Sequence, residues 1–347
     1  MVPTRCDKML HLRAATASFG GRAPPFSIAM LHVRWNLLLG RAVVVHFLTL
    51  KRAPHPCCGL FFGAALSSAD TTGPDRMCRW IAYRGETITL DQYVTNAAHS
   101  LIAQSVRALE ATASVNGDGF GLGWYGDYPE PGLYREIRPA WSDENLRYLC
   151  RHLRSHLFFA HVRAATGTPI TRVNCHPFAS GVWLFMHNGS VGAWNRLRRR
   201  VENLIPDALY PSRIGTTDSE ALFLAIMGQG GARDPIGATE NVLQSLTDMA
   251  AEPDSPDTLR FTSALTNGRD LYAFRYAAHD SANTLYFRES AQEVLVVSEP
   301  LDRERERWTE VPEGHALVAR EGERARIVPL KVREPSTGHV QRAAGER

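Results

Sequence analysis

Between Asn116 and Tyr125 the chain reads Asn-Gly-Asp-Gly-Phe-Gly-Leu-Gly-Trp-Tyr, four glycines within seven residues running into an aromatic strand. Glycine loses more conformational freedom on folding than any other residue. It is kept where the backbone takes positive φ or where another segment packs too close for a side chain. The stretch therefore predicts a tight turn and then a strand pressed against a neighbour. A phosphate-binding loop is a poor reading, because no Lys-Ser/Thr pair follows and no apolar helix begins after it. The simplest reading of Asn116, Gly117 and Asp118 is a plain hairpin turn. The alternative is a turn that wraps a reactive residue from elsewhere in the chain.

The candidate for that residue is Cys78, in Met77-Cys78-Arg79-Trp80-Ile81-Ala82-Tyr83. Read alone, Cys78 is a small buried apolar residue opening a strand. Read as the first residue of a processed chain, it carries two reactive groups: a thiol nucleophile and an α-amine, of unperturbed pKa about 8, able to act as its base. Thr87 to Leu90 reads as a second short strand after a turn at Gly85-Glu86.

Residues 1–76 differ in kind from the rest. They hold nine of the 39 Lys and Arg and three of the 36 Asp and Glu, a net +6, which leaves 30 basic and 33 acidic residues and a net charge of −3 for the remainder. A slightly acidic body gives no reason to expect a nucleic-acid partner. Three readings of the extension compete. Gly59 to Leu66 resembles the apolar part of a targeting segment, though it lies far from the start. The extension is otherwise a propeptide removed before Cys78, or the start is assigned too early and Met77 is the initiator. The last is preferred, because Met followed by a small residue suits aminopeptidase trimming. The expected organisation is a largely disordered extension over 1–76, one domain over 77–332 and a polar tail over 333–347. Ala42 to Leu50 is far shorter than the roughly 20 apolar residues of a membrane span, so no membrane segment is expected. The six cysteines (Cys6, Cys57, Cys58, Cys78, Cys150, Cys175) contain no CxxC pair, which fits reduced thiols in a cytoplasmic protein.

Further along, Leu101, Ile102, Ser105, Val106 and Leu109 recur at helical spacing and predict a helix over about 97–110. Its polar opening, with His99 and Gln104, reads as a turn facing solvent. Leu133 to Arg138 reads as a strand, and Ser142 as the cap of a helix running to about Leu153. Leu157 to Val162 is a buried strand ending at Arg163, whose guanidinium there needs an anion, from the protein or from a ligand. Val182 to Met186 is another, ending in His187-Asn188-Gly189. A helix bearing Val191, Trp194, Leu197, Val201 and Leu204 follows, so this Asn-Gly pair does not join two strands. An Asn amide beside a glycine N–H at a strand end suits an oxyanion hole, each donor typically worth about 2.7–4 kcal/mol in a transition state. Thr217 with Glu220 reads as a capping box. Asp218 is then a first-turn acid complementing the helix dipole, or a carboxylate that grips a ligand amine. A helix over 236–250 and a run of strands from Leu259 to about Val332 complete the chain, with Asn267-Gly268 as a hairpin turn.

Six stretches stand in one order: Met77-Cys78-Arg79, Asn116 to Gly121, Ala160-His161-Val162-Arg163-Ala164-Ala165-Thr166, Asn174-Cys175-His176-Pro177-Phe178, His187-Asn188-Gly189 and Thr217-Asp218-Ser219-Glu220. Together they resemble a class II glutamine amidotransferase. His99-Ser100, Gln104-Ser105 and Ser298-Glu299-Pro300-Leu301 resemble its compact, single-domain branch. The resemblance implies an α+β N-terminal nucleophile hydrolase fold, a four-layer αββα sandwich of two antiparallel sheets. It implies Cys78 as nucleophile and, through its α-amine, base; Asn188 and Gly189 as oxyanion hole; Arg163, Thr166 and His176 around a glutamyl α-carboxylate; and Asp218 on the α-amine. The substrate would be glutamine or a γ-glutamyl small molecule, with no cofactor and no metal. No acceptor domain follows residue 251, so plain hydrolysis is expected ahead of ammonia supply to a partner subunit.

The sequence leaves rivals open. A Cys-His pair could use Cys150 or Cys175 with His152, His156, His161 or His176. A zinc site from His152, His156, His161, Cys150 and Cys175 has spacings that fit no structural pattern. A retained extension would put an amide where the α-amine should be and leave a glutamyl-binding or regulatory subunit.

Overall fold

The computed structural model describes residues 77–110, 115–165, 167–250 and 258–333. The expected disordered extension over 1–76 and the tail beyond residue 333 lie outside the described residues.

The first half builds β1 (Arg79–Thr89), α1 (Asp91–Val94), α2 (Leu101–Val106), β2 (Phe120–Trp124), β3 (Gly132–Glu136), α3 (Glu144–His152) and β4 (Arg154–Val162). The second half builds β5 (Phe178–Ser180), β6 (Trp183–Val191), α4 (Trp194–Glu202), α5 (Asp218–Ile226) and α6 (Pro235–Ala250). After these come β7 (Leu259–Thr266), β8 (Leu271–Ala278), β9 (Tyr286–Glu289), β10 (Glu293–Val297), β11 (Thr309–Glu310), β12 (His315–Ala319) and β13 (Arg326–Pro329). They form a seven-stranded sheet in the order β11-β9-β10-β1-β4-β2-β3 and a six-stranded sheet in the order β13-β12-β8-β7-β6-β5. The pairings within both sheets are antiparallel.

Side-chain alternation explains why two sheets make four layers. On β1, Ile81 and Tyr83 join a core with Leu101, Leu146 and Cys150 of the helices on that side. Trp80 and Ala82 point the other way, into a core with Leu184 and Met186 of β6 and Ala264 of β7. On β6, Phe185 turns outward to Leu222 and Phe223 of α5 and Val242 of α6. Three apolar cores separate helices, sheet, sheet and helices, which is the αββα sandwich expected.

Several local expectations are corrected. One strand spans Arg79–Thr89, with an irregularity between Arg84 and Ile88, where a turn and a second strand were expected. The helix expected over 97–110 ends at Val106, and Val106 and Leu109 are exposed, because the N–H groups of Leu109 and Glu110 are drawn to the carboxylate of Glu299. Gln104 is buried rather than facing solvent, its amide donating to the carbonyls of His99 and Glu299. Asp143, not Ser142, caps α3, its carboxylate accepting the Leu146 N–H at 2.8 Å. The strand expected to stop at Met186 continues through Asn188-Gly189, which pair with Thr262 and Phe261 of β7.

Candidate active site

The glycines of β2 do what their density suggested. Gly119 holds φ +114°, and a Cβ on Gly121 would lie 2.1 Å from the carbonyl oxygen of His176. Backbone of the 175–177 segment thus lies directly on the strand, which brings His176 into the interior. The turn before β2 is pinned to the end of β4. The Asp118 N–H donates to the Arg163 carbonyl at 3.0 Å, and the Ala165 N–H donates to the Asp118 carboxylate at 2.8 Å. Asn116 is fully buried, its N–H donating to the Ser105 carbonyl at 2.7 Å.

That pinned segment receives the thiol of Cys78. The Ala164 N–H points at Cys78 Sγ from 3.4 Å, and the Ala164 carbonyl lies 3.7 Å from it. Burial pushes the thiol up from its ordinary value, while the Ala164 hydrogen bond, Arg163 and Arg79 pull it down. On its other side, the Cys78 N–H donates to Asn188 Oδ1 at 3.1 Å. That orientation leaves Asn188 Nδ2 buried and without a hydrogen-bond partner among the described residues. The backbone carbonyl of Asn188 accepts from the Asn283 amide at 3.1 Å, which holds this part of β6 in place. A side chain at Gly189 would run into the Arg260 carbonyl at 2.0 Å, so only glycine fits beside the asparagine.

A cavity of about 110 Å³ opens where these groups meet, lined by Cys78, Arg163, His176, Asn188, Gly189 and Asp218 together with Thr168, His187 and Trp194. Arg163 is buried, and its amino groups donate to Thr168 Oγ1 at 2.6 Å and the Pro169 carbonyl at 3.3 Å, both neutral. Its positive charge therefore stays available to an anion in the cavity. Asp218, also in the lining, is held at the start of α5. Its carboxylate accepts the Val191 N–H at 2.9 Å and the Ser219 N–H at 2.8 Å. Thr217 caps that helix by accepting the Glu220 N–H at 3.2 Å. The reciprocal half of the capping box is absent from the bonds formed: the Glu220 carboxylate binds Arg213 and the Ile214 and Gly215 N–H groups. A small site whose lining includes a guanidinium, a carboxylate and a thiol suits a zwitterionic amino-acid head.

Residues 93–287 match the family described as glutamine amidotransferases class-II. The chain belongs to that family.

This amidotransferase is 32% identical over 292 residues to a probable glutamine amidotransferase of Saccharomyces cerevisiae, covering 70% of this chain and 81% of that one. It is 28% identical over 247 residues to the γ-glutamyl-hercynylcysteine sulfoxide hydrolase of Mycolicibacterium smegmatis, covering 71% of this chain and 96% of the relative. Among solved structures it resembles a glutamine aminotransferase class-II domain protein from Silicibacter pomeroyi, at 37% identity and TM-score 0.57, over 73% of this chain and 99% of that one.

Of the residues singled out in the sequence, the structure gathers Cys78, Arg163, His176, Asn188, Gly189 and Asp218 around one cavity. Thr166 lies outside the described residues. Of Asn116, Gly117 and Asp118, it is Asp118 that bonds the segment around Ala164, while Asn116 bonds Ser105. Thr168 and Trp194 escaped the sequence reading. Nothing marks Thr168 beyond its place in a Gly-Pro loop, and Trp194 was read as one face of α4; its indole N–H donates to the Thr216 carbonyl at 3.2 Å. Neither rival cysteine of the amidotransferase lines the cavity. Burial pushes Cys150 up to about 12 and Cys175 up to about 11, so neither is a thiolate near neutral pH. Among the described residues no group of three or more His, Cys, Asp or Glu side chains is arranged to hold a metal ion. Nor is any helix of those residues long and apolar enough to cross a membrane.

Proposed function

We propose that this amidotransferase hydrolyses the γ-amide of glutamine, or of a γ-glutamyl compound, through a thioester on Cys78 once the residues before Cys78 are gone. The observation that carries the reading is the pairing of Cys78 with Asn188. The Asn188 amide oxygen takes the Cys78 nitrogen at 3.1 Å, and the amide nitrogen is left buried and unpartnered. A buried donor without an acceptor costs about 1–3 kcal/mol, and an oxyanion formed beside Cys78 would relieve that cost.

In this reading Arg163 takes the α-carboxylate of the glutamyl head, with Thr168 and His176 beside it, and Asp218 takes the α-ammonium. The Cys78 α-amine accepts the thiol proton, and the thiolate attacks the γ-carbonyl carbon. Asn188 Nδ2 and the Gly189 N–H carry the negative charge of the tetrahedral intermediate. The intermediate collapses by expelling ammonia or an amine, which leaves with the proton from the α-ammonium. Water, deprotonated by the same amine, then attacks the thioester and frees glutamate. The domain responsible is 77–332, acting in the cytoplasm, with 1–76 either untranslated or removed. The relatives support the choice of bond, since one is named as a γ-glutamyl hydrolase and another as a glutamine amidotransferase.

The test pairs intact mass and N-terminal sequencing of the native protein with glutamate release from glutamine and glutathione. An N-terminus at Cys78 and glutamate in the assay are expected. A stable protein that retains upstream residues and releases no glutamate overturns the reading and leaves a glutamyl-binding subunit.

A further inference from the structure

Arg79 shares the face of β1 that carries Ile81 and Tyr83 toward the α1–α3 side. Glu299, two residues beyond β10, continues the face of Leu295 and Val297, which belong to the same core. The two charges therefore meet on the helix side of the seven-stranded sheet, each only 1% exposed. Arg79 Nε donates to Glu299 Oε2 at 3.1 Å. From the same guanidinium, Nη1 donates to the Cys78 carbonyl at 3.0 Å and the Met77 carbonyl at 3.4 Å.

Glu299 is itself held from several sides. Its Oε1 lies 2.5 Å from His99 Nε2 and accepts the Leu109 N–H at 2.8 Å, and its Oε2 accepts the Glu110 N–H at 3.0 Å. Burial pushes this carboxyl up, but His99, the two N–H groups and Arg79 outweigh burial and hold it down to about 2. Buried ion pairs contribute little net stability, because desolvation offsets their attraction. Stability alone is thus a weak account of this one, and its reach to the backbone around Cys78 supplies another.

We propose that Arg79, locked by Glu299, is a positioning residue for the hydrolysis: it fixes the Cys78 carbonyl and so aims the Cys78 α-nitrogen into the cavity. The inference rests on the function proposed above. The torsion that sets the direction of a terminal amine runs from its nitrogen to its carbonyl oxygen. Asn188 Oδ1 holds the first of these atoms and Arg79 Nη1 the second. Removal of Met77 leaves both contacts in place, so the new terminus is anchored at each end of its one free rotation.

The pair also sets the field at the amine. Its guanidinium is the nearer end, and a nearby cation disfavours protonation of an amine. Among the described residues, the other groups near Cys78 are Arg163 and Ala164 at the end of β4, Asp118 before β2, Asn188 on β6, Cys175 before β5, and His176, His187 and Asp218 around the cavity. Changing either member of the pair leaves these untouched.

The experiment compares the native protein with its Glu299→Gln, Arg79→Met and Arg79→Lys variants, following kcat and KM for glutamine, the acid limb of kcat/KM against pH, and thermal unfolding. Glu299→Gln unbalances the cation and moves the acid limb to lower pH. Arg79→Met leaves an unbalanced carboxylate and moves it to higher pH. Both lower kcat about tenfold or more with KM within about threefold of the parent, as expected when an interaction serves the reaction rather than binding. Arg79→Lys keeps the charge without the guanidinium fork, so the limb stays near the parent's while kcat falls. Limbs that move the same way in Glu299→Gln and Arg79→Met, or parental kcat in Arg79→Lys, overturn the inference while an active parent leaves the proposed function standing. A parent that begins at Cys78 and releases no glutamate overturns both.

Discussion

The rings of His161 and His176 stack with their centroids 4.3 Å apart, and neither ring has a hydrogen-bond partner of ordinary geometry among the described residues. Burial, aided by Arg163, pushes His161 down to about 3. Burial, aided by His161, His187 and Arg163, holds His176 well below the usual histidine value. Between the unfolded value near 6.5 and these depressed values, the unfolded chain binds protons that the folded chain refuses. Stability is therefore full above the unfolded value and falls as pH drops below it, with a slope approaching about 1.4 kcal/mol per pH unit for each histidine. Melting temperature measured from pH 8 to pH 5 should decline, and His161→Phe should flatten the decline. An unchanged slope in that variant would show that His161 is not the group responsible.

Cysteine substitution separates the candidate nucleophiles. Cys78→Ala should abolish glutamate release while the protein still melts cooperatively. Cys150→Ala and Cys175→Ala should keep parental kcat, because both thiols are buried and neither lines the cavity, and should cost only stability, of order 1 kcal/mol for the lost packing. Activity that survives Cys78→Ala and vanishes with Cys175→Ala would return the choice to a Cys-His pair.

Asn188→Asp keeps an oxygen for the Cys78 nitrogen and replaces the unpartnered Nδ2 donor with a second oxygen. The expected result is a fall in kcat of about 100- to 1,000-fold, the usual cost of one oxyanion donor, with KM moved far less. Steady-state kinetics with glutamine decide the point. A KM effect with kcat intact would place Asn188 in substrate binding instead.

Gly121 and Gly126 form an internal comparison. A methyl group at Gly121 meets the His176 carbonyl at 2.1 Å, whereas one at Gly126 meets nothing within 4 Å. Gly121→Ala should destabilise by about 1–3 kcal/mol or more, the range for forcing atoms into a packed interior. It should also displace His176 and lower activity. Gly126→Ala should be near neutral in a denaturant titration.

Strands buried on both faces were legible because continuous apolar runs such as Leu157 to Val162 admit little else, and the turn at Asn267-Gly268 was legible because its chemistry is local. Reading His187-Asn188-Gly189 as a strand end failed for the same kind of reason. An Asn-Gly pair is a strong local turn signal, and only pairing with β7, more than 70 residues on, overrides it. The exposed Val106 and Leu109 were misread through another distant group: helical spacing continues there, but Glu299 takes the N–H groups that would extend the helix. The cavity's residues were found because six stretches carry them in a recognisable order. Thr168 and Trp194 are set beside them by folding alone.

Cys78 leads into the seven-stranded sheet, while Asn188 belongs to the six-stranded one, 110 residues further along the chain. Neither sheet by itself contains both partners. A chain whose sheets have each formed but not yet closed on one another has a thiol with no amide beside it and no cavity to hold a ligand. The proposed chemistry thus belongs to neither sheet alone and exists only where the two are packed together.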